Sequence, residues 1–234
     1  MPKSTLLLFD IDGTLLTSGG AGEHALRQGF RHAFQIEENL EDIDIAGRTD
    51  SSIARQLFQK HGLEVSPENL QRFFDGYLRF LSSELPQRPG RLLPGIRSLL
   101  ETLHPRAELA LGLLTGNLLQ GARLKLGYFG VDSFFELGAF ADDHHDRDQL
   151  GPIARDRAEA RHGVRFSPES IYVLGDTPHD IRCARAFGAK AIAVATGVFS
   201  SEQLAAHHPD VLLADFSDLP TALRSLGLER PSAL

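Results

Sequence analysis

The sequence predicts an α/β protein, a doubly wound parallel sheet with a helical domain inserted after the first strand. Three observations carry this. Short apolar runs alternate with helical patterns at both ends of the chain. The runs are continuous rather than alternating, as in strands covered on both faces. Between about Leu16 and Leu85 the strand pattern stops and helical periodicity fills the interval.

The first strand is Thr5–Phe9, the start of "TLLLFDIDGTLL". It is followed by "TSGGAG" (17–22), a glycine-rich stretch with the character of a hinge. It lacks the full glycine fingerprint of a nucleotide loop, and Asp10 and Asp12 would repel a pyrophosphate unless a metal intervened. Helical patterns then cover Glu23–Phe34, Ser51–His61 and Pro67–Glu84. "PQRPGRLLPG" (86–95) is the second linker. Further strands are predicted at Leu109–Leu114, Ile171–Leu174, Ala191–Ala195 and Val211–Ala214. Helices are predicted at Asn117–Leu126, Arg147–His162, Pro178–Phe187 and Ser201–His207. This βαβα order implies a Rossmann-like core. The expected division is a core of residues 1–16 and 87–234 and a helical cap domain of residues 17–86.

With 234 residues, 42% of them apolar, the chain has material for a sizeable core. A net charge of −7 disfavours nucleic acid or an anionic membrane as a general partner. No run approaches the ~20 apolar residues of a membrane span, and no signal-peptide pattern opens the sequence. The expected location is the cytoplasm. The single cysteine, Cys183 in "DIRCARAFG", reads as a small packed side chain.

The chemistry is expected where strands end, since open α/β sheets bind ligands there. Asp10 and Asp12 follow the first strand, and positions i and i+2 of an extended chain share a side. Two carboxylates so close repel unless one is protonated or a cation lies between them. "GDTPHD" adds Asp176 after another strand and Asp180 in the first turn of the helix that Thr177 and Pro178 begin. Four such acids call for a hard cation with oxygen ligands, which points to Mg²⁺. Thr115, Gly116 and Asn117 in "LLTGN" open a predicted helix, where hydroxyl and N–H groups suit a phosphate. Arg147, near another helix start, suits a phosphate oxygen. In this reading one carboxylate is a nucleophile and the other handles protons.

"DIDGT" (10–14), "LLTGN" (113–117), Arg147 and "GDTPHD" (175–180) together resemble the haloacid dehalogenase superfamily. The resemblance spans nearly the whole chain and is strongest toward its phosphoglycolate phosphatase branch. It implies that Asp10 attacks phosphorus and becomes an aspartyl phosphate. It implies that Asp12 protonates the leaving oxygen and then activates water. It implies that Asp10, the main-chain carbonyl of Asp12, and Asp176 hold Mg²⁺, with Asp180 ordering or joining the metal shell. Thr115 and Arg147 would hold the phosphoryl group. The family more often has Lys at the position of Arg147, and Lys125 is the second candidate for that role. A halide leaves without a proton, so Asp12 argues against dehalogenation.

The implied activity is Mg²⁺-dependent hydrolysis of a small phosphorylated metabolite. A phosphomutase of the β-phosphoglucomutase type would use the same motifs, and a phospho-aspartate receiver gathers similar groups but has no need of a lid. "DDHHDRD" (142–148) reads as a polar loop rather than a zinc site, because adjacent His144 and His145 lack the spacing of a helical ligand pair. Arg48, in "DIDIAGRTD", is expected on a cap loop. There it either reads a charge on the substrate or pairs with Asp44 or Asp50.

Overall fold

Strand β1 (Thr5–Phe9) runs through the middle of the sheet, and its residues Leu6 to Phe9 are fully buried. Leu7 and Phe9 join the hydrophobic cluster on one face, while Leu6 and Leu8 join the other. That two-sided burial is the physical reason for the unbroken apolar run. These features come from a computed structural model that describes residues 3–228.

In chain order, β1 is followed by β2 (Leu16–Thr17), α1 (Ala21–Phe34), α2 (Asp50–Lys60), α3 (Pro67–Glu84) and β3 (Arg91–Leu92). Then come α4 (Ile96–Leu103), β4 (Leu109–Leu114), α5 (Leu119–Tyr128), β5 (Leu137–Ala139) and α6 (Leu150–His162). The chain continues with β6 (Ile171–Gly175), α7 (Pro178–Ala186), β7 (Lys190–Val194), α8 (Ser201–Ala205), β8 (Val211–Leu213) and α9 (Leu219–Ser225). The large sheet has six strands in the order β5-β4-β1-β6-β7-β8. All its pairings are parallel, with Thr5 beside Leu109 and Leu6 beside Ile171. Among the described residues, no helix is long and apolar enough to cross a membrane.

Each strand expected from the sequence is present, within a residue at each end. Five elements go beyond that reading. Strand β5 is only three residues with a glycine at its centre, too little for a pattern. The two-residue strands β2 and β3 pair antiparallel, Leu16 with Leu92 and Thr17 with Arg91. Helix α4 buries Ile96, Leu99, Leu100 and Leu103, a legible helical spacing directly after the second linker, in a stretch to which the sequence reading assigns no element. Helix α9 is a short C-terminal turn of helix against the sheet's hydrophobic cluster.

Helices α1, α2 and α3 share a separate aromatic cluster in which Phe30, Phe58, Phe73 and Tyr77 are almost wholly buried. Helices α1 and α3 cross closely at Gly29 and Gly76. A Cβ on Gly29 would lie 2.6 Å from the backbone nitrogen of Tyr77, so this crossing needs glycine. Thr49 caps α2 by accepting from Ser52 N, and Ser66 with Pro67 starts α3. The β2–β3 pairing ties together the two chain segments that lead into and out of these helices.

Candidate active site

Three neighbouring strands deliver the acids and their partners to one edge. β1 ends beside Asp10, β4 beside Thr115 and β6 beside Asp176. After Asp12 the chain reverses at Gly13, whose φ of 81° is a left-handed conformation that glycine adopts without penalty. A side chain at Gly13 or at Gly197 would overlap the Asp176 carboxylate, so both glycines clear its space. Thr14 Oγ1 then donates to Asp176 Oδ1 at 3.0 Å.

Asp180 is fixed by the helix it opens. Thr177 donates to Asp180 Oδ2 from its backbone nitrogen (3.0 Å) and its hydroxyl (2.7 Å), half of a capping box. The other oxygen, Oδ1, accepts from Arg147 Nη2 at 2.5 Å. The same nitrogen lies 3.1 Å from Asp10 Oδ1. Arg147 Nη1 donates to the carbonyl of Gly47, so one buried guanidinium touches the nucleophile candidate, the Asp180 carboxylate and the loop before α2. Thr115 is fully buried, and its hydroxyl acts to lower the Asp10 carboxyl.

One carboxylate oxygen from each of Asp10, Asp176 and Asp180 lies within 4.8 Å of the other two. Burial pushes Asp10 up to about 6; Arg147 pulls it back and Asp180 pushes it further. Burial, then Asp180 and Asp10, hold Asp176 well above the usual carboxylate range. Crowded, desolvated, oxygen-only ligands that resist ionising together fit a hard divalent cation, which removes the conflict.

Asp12 stands apart from this trio. Its side chain is 41% exposed, and its Oδ2 accepts from Lys125 Nζ (2.5 Å) and Asn117 Nδ2 (2.9 Å). Lys125 Nζ also donates to Asn117 Oδ1 at 2.6 Å. The two basic residues weighed for one position therefore occupy two, Arg147 on Asp10 and Lys125 on Asp12. The readable signal for Lys125 is its place on the buried face of α5 beside Ala122 and Leu126.

The expectation that Asn117 opens a helix is corrected. Helix α5 begins at Leu119, and its leading N–H groups are taken by carboxylates from elsewhere. Leu118 N donates to Asp50 Oδ2 (2.8 Å) and Leu119 N to Asp142 Oδ2 (2.6 Å). Thr115, Gly116 and Asn117 thus form a loop rather than a helical start. Asn117 serves through its side chain, which bridges Asp12 and Thr115 Oγ1.

Residues 49–51 dock the helical layer on the core. Asp50 N donates to Gly116 O (2.7 Å), Thr49 Oγ1 to His145 O (2.6 Å) and Ser51 Oγ to Ala141 O (2.8 Å). Asp50 is buried, and burial pushes it up to about 7, against the pull of Lys125 and the Leu118 N–H. Arg48 pairs with Asp44 through Nε (2.7 Å) and Nη2 (2.5 Å), and it also lines the cavity. That cavity has a volume of about 480 Å³. Asp10, Asp12 and Asp176 form its floor, and Arg48, Asp50 and Tyr77 come from the helical side.

In the 142–148 loop, Asp143 binds Arg157 (2.6 Å), and His144 stacks on His145 with ring centroids 4.6 Å apart. The Cys183 thiol is buried against the Arg147 carbonyl and pushed up to about 12 by burial.

A family model described as "Haloacid dehalogenase-like hydrolase" matches residues 7–194, well over half of the chain. The chain belongs to this family. It is a hydrolase, and the matched stretch contains Asp10, Asp12, Thr115, Lys125, Arg147, Asp176 and Asp180. A phosphoglycolate phosphatase of Synechococcus elongatus is 30% identical over 226 residues, covering 94% of this chain and 97% of that protein. The pyrophosphatase PpaX of Anoxybacillus flavithermus is 25% identical, covering 93% of this chain and 95% of its own. In structure, CbbY from Rhodobacter sphaeroides, solved in complex with phosphate, superposes with a TM-score of 0.72. It is 20% identical and covers 94% of this chain and 96% of its own, so it supports the fold.

Proposed function

We propose that this hydrolase cleaves the phosphomonoester of a small phosphorylated metabolite, in a Mg²⁺-dependent reaction through an aspartyl phosphate on Asp10. Phosphoglycolate is the first substrate to try. The observation that carries the reading is the separation of two carboxylates facing one cavity. Asp10 is buried with Thr115 and Arg147, while Asp12 is more open and held by Lys125 and Asn117.

In the proposed reaction an oxygen of Asp10 attacks phosphorus, and the bond from phosphorus to the ester oxygen breaks. Asp12 gives its proton to that departing oxygen. Water then attacks the phosphorus of the acyl phosphate and surrenders a proton to Asp12. Phosphate leaves and the Asp10 carboxylate is restored. Thr115, Asn117 and Arg147 orient the phosphoryl oxygens and the nucleophile. Asp10, Asp176 and Asp180, with the main-chain carbonyl of Asp12, would hold Mg²⁺, which supplies neutralising charge for the acids and the phosphoryl group. Residues 17–86 act as a cap that excludes water while the leaving group departs. Arg48 would meet a carboxylate or other anionic group on the substrate.

The test is a panel of phosphorylated metabolites assayed for phosphate release with Mg²⁺ and with chelator. Sugar-phosphate isomerisation is followed in the same samples. Metal-dependent phosphate release with trappable acyl phosphate supports the reading. Isomerisation without phosphate release would replace it by a phosphomutase.

A further inference from the structure

Tyr77 lines the substrate cavity, and among the described residues no side chain or backbone group pairs with its hydroxyl. The residue is 1% exposed, and its ring belongs to the aromatic cluster of the cap helices. A buried tyrosine normally finds a hydrogen-bond partner for its hydroxyl, because leaving it without one costs free energy. Among the described residues, nothing hydrogen-bonds the Tyr77 hydroxyl. Yet the residue lines the same cavity as Asp10 and Asp12. The backbone crossing at Gly29 and Gly76 sets Tyr77 at this place, directly after the tightest approach of α1 and α3.

The surroundings define what the hydroxyl meets. Leu26 and Ile53, both almost wholly buried, line the cavity from the same side and offer only carbon. Glu23 and Asp50 line it too, and Arg48 on this side is already engaged by Asp44. The cap side therefore suits a leaving group with a carbon skeleton. Burial, with the nearby charges of Asp50 and Asp12, keeps the phenol protonated and hence a donor.

We infer that Tyr77 donates a hydrogen bond to an oxygen carried on the carbon skeleton of the leaving group, which makes it a specificity-determining residue of this hydrolase. The oxygen belongs to a hydroxyl or a carboxylate. The inference rests on the phosphatase reading and goes beyond it by assigning the cap-side contact.

Three probes separate the possibilities: 2-phosphoglycolate carries a carboxylate, glycerol 3-phosphate carries hydroxyls, and propyl phosphate carries neither. Phenyl phosphate serves as a check on phosphatase activity itself. Tyr77→Phe keeps the ring and removes only the hydroxyl. It is expected to lower kcat/KM about 10-fold for whichever oxygen-bearing probe the wild type prefers over propyl phosphate, and to leave propyl and phenyl phosphate unchanged. The same four probes are titrated by calorimetry into Asp10→Asn protein with and without Tyr77→Phe, which reads the hydrogen bond without turnover. A turnover failure with a preserved binding difference rejects the phosphatase reading alone. An equal loss for all probes, or unchanged ratios in both assays, overturns the assignment of Tyr77.

Discussion

The floor and the roof of the cavity are built on opposite principles. On the floor, three strand ends bring acidic groups together and hold each carboxylate by at least one oxygen, Asp180 by both, between Thr177 and Arg147. On the roof, the helical layer offers Leu26, Ile53 and Tyr77, and Arg48, which pairs with Asp44. The floor fits one group, a phosphoryl dianion, and the roof leaves room for variation. Changes on the floor should therefore damage every substrate alike, and changes on the roof should damage some and spare others.

The largest expected effect tests the floor. Asp10→Asn should lower turnover by a factor on the order of 10³ or more for every phosphate ester, because the covalent route is closed. Near-normal turnover, once deamidation is excluded, would sink the mechanism. Chelation should also silence all substrates together, with Mg²⁺ restoring the rate, since buried Asp10, Asp176 and Asp180 otherwise repel each other and the phosphate. Full activity in chelator would break the floor's side of the contrast.

The next effect tests the roof. Arg48→Ala should lower kcat/KM about 10- to 100-fold for an anionic-tailed substrate such as 2-phosphoglycolate and leave phenyl phosphate nearly unchanged. An unchanged ratio between the two would assign Arg48 to its Asp44 pairing alone.

The smallest effect lies at the seam between the two and is read as stability. Burial pushes Asp50 up to about 7 in the folded protein from 3.8 for an ordinary aspartate. Between those values the folded state holds a proton that the unfolded state has lost. Stability from this group is therefore highest at acid pH, falls as pH rises through the window and levels off above about 7. Asp50→Asn can still accept from Leu118 N–H and cannot ionise. In metal-free urea unfolding it should match wild type near about pH 4 and exceed it by about 1–3 kcal/mol near pH 8. No gain at the higher pH would mean that Lys125 fully compensates the Asp50 charge.

The same contrast explains what was legible beforehand. Asp10, Thr115 and Asp176 each follow an apolar run, so their place at strand ends could be read from the sequence. Asp180 was legible through the cap residues Thr177 and Pro178. Asp50 was not, because a polar residue at a helix start ordinarily serves its own helix, whereas this one caps α5 about seventy residues away. Lys125 was weighed only as a substitute for Arg147, since spacing alone does not show which carboxylate a helical lysine reaches. Tyr77 sits in a helix whose aromatic residues carry an ordinary core spacing, and only the fold shows that it lines the cavity. Residues that act where two units meet leave little periodic trace in either.

The small β2–β3 ribbon has a consequence for how the chain tolerates change. It brings Thr17 beside Arg91, so everything between them is a closed excursion from the sheet. Strand β1 must pair with β4, Thr5 beside Leu109, across that whole excursion. Once the ribbon is made, the remaining path between the two strands is short whatever hangs beyond it. Lengthening the excursion then costs only about 0.6 kcal/mol of loop entropy per doubling. The interval from Ser18 to Gly90 is thus free to grow, shrink or be exchanged over evolutionary time while the catalytic sheet keeps its register.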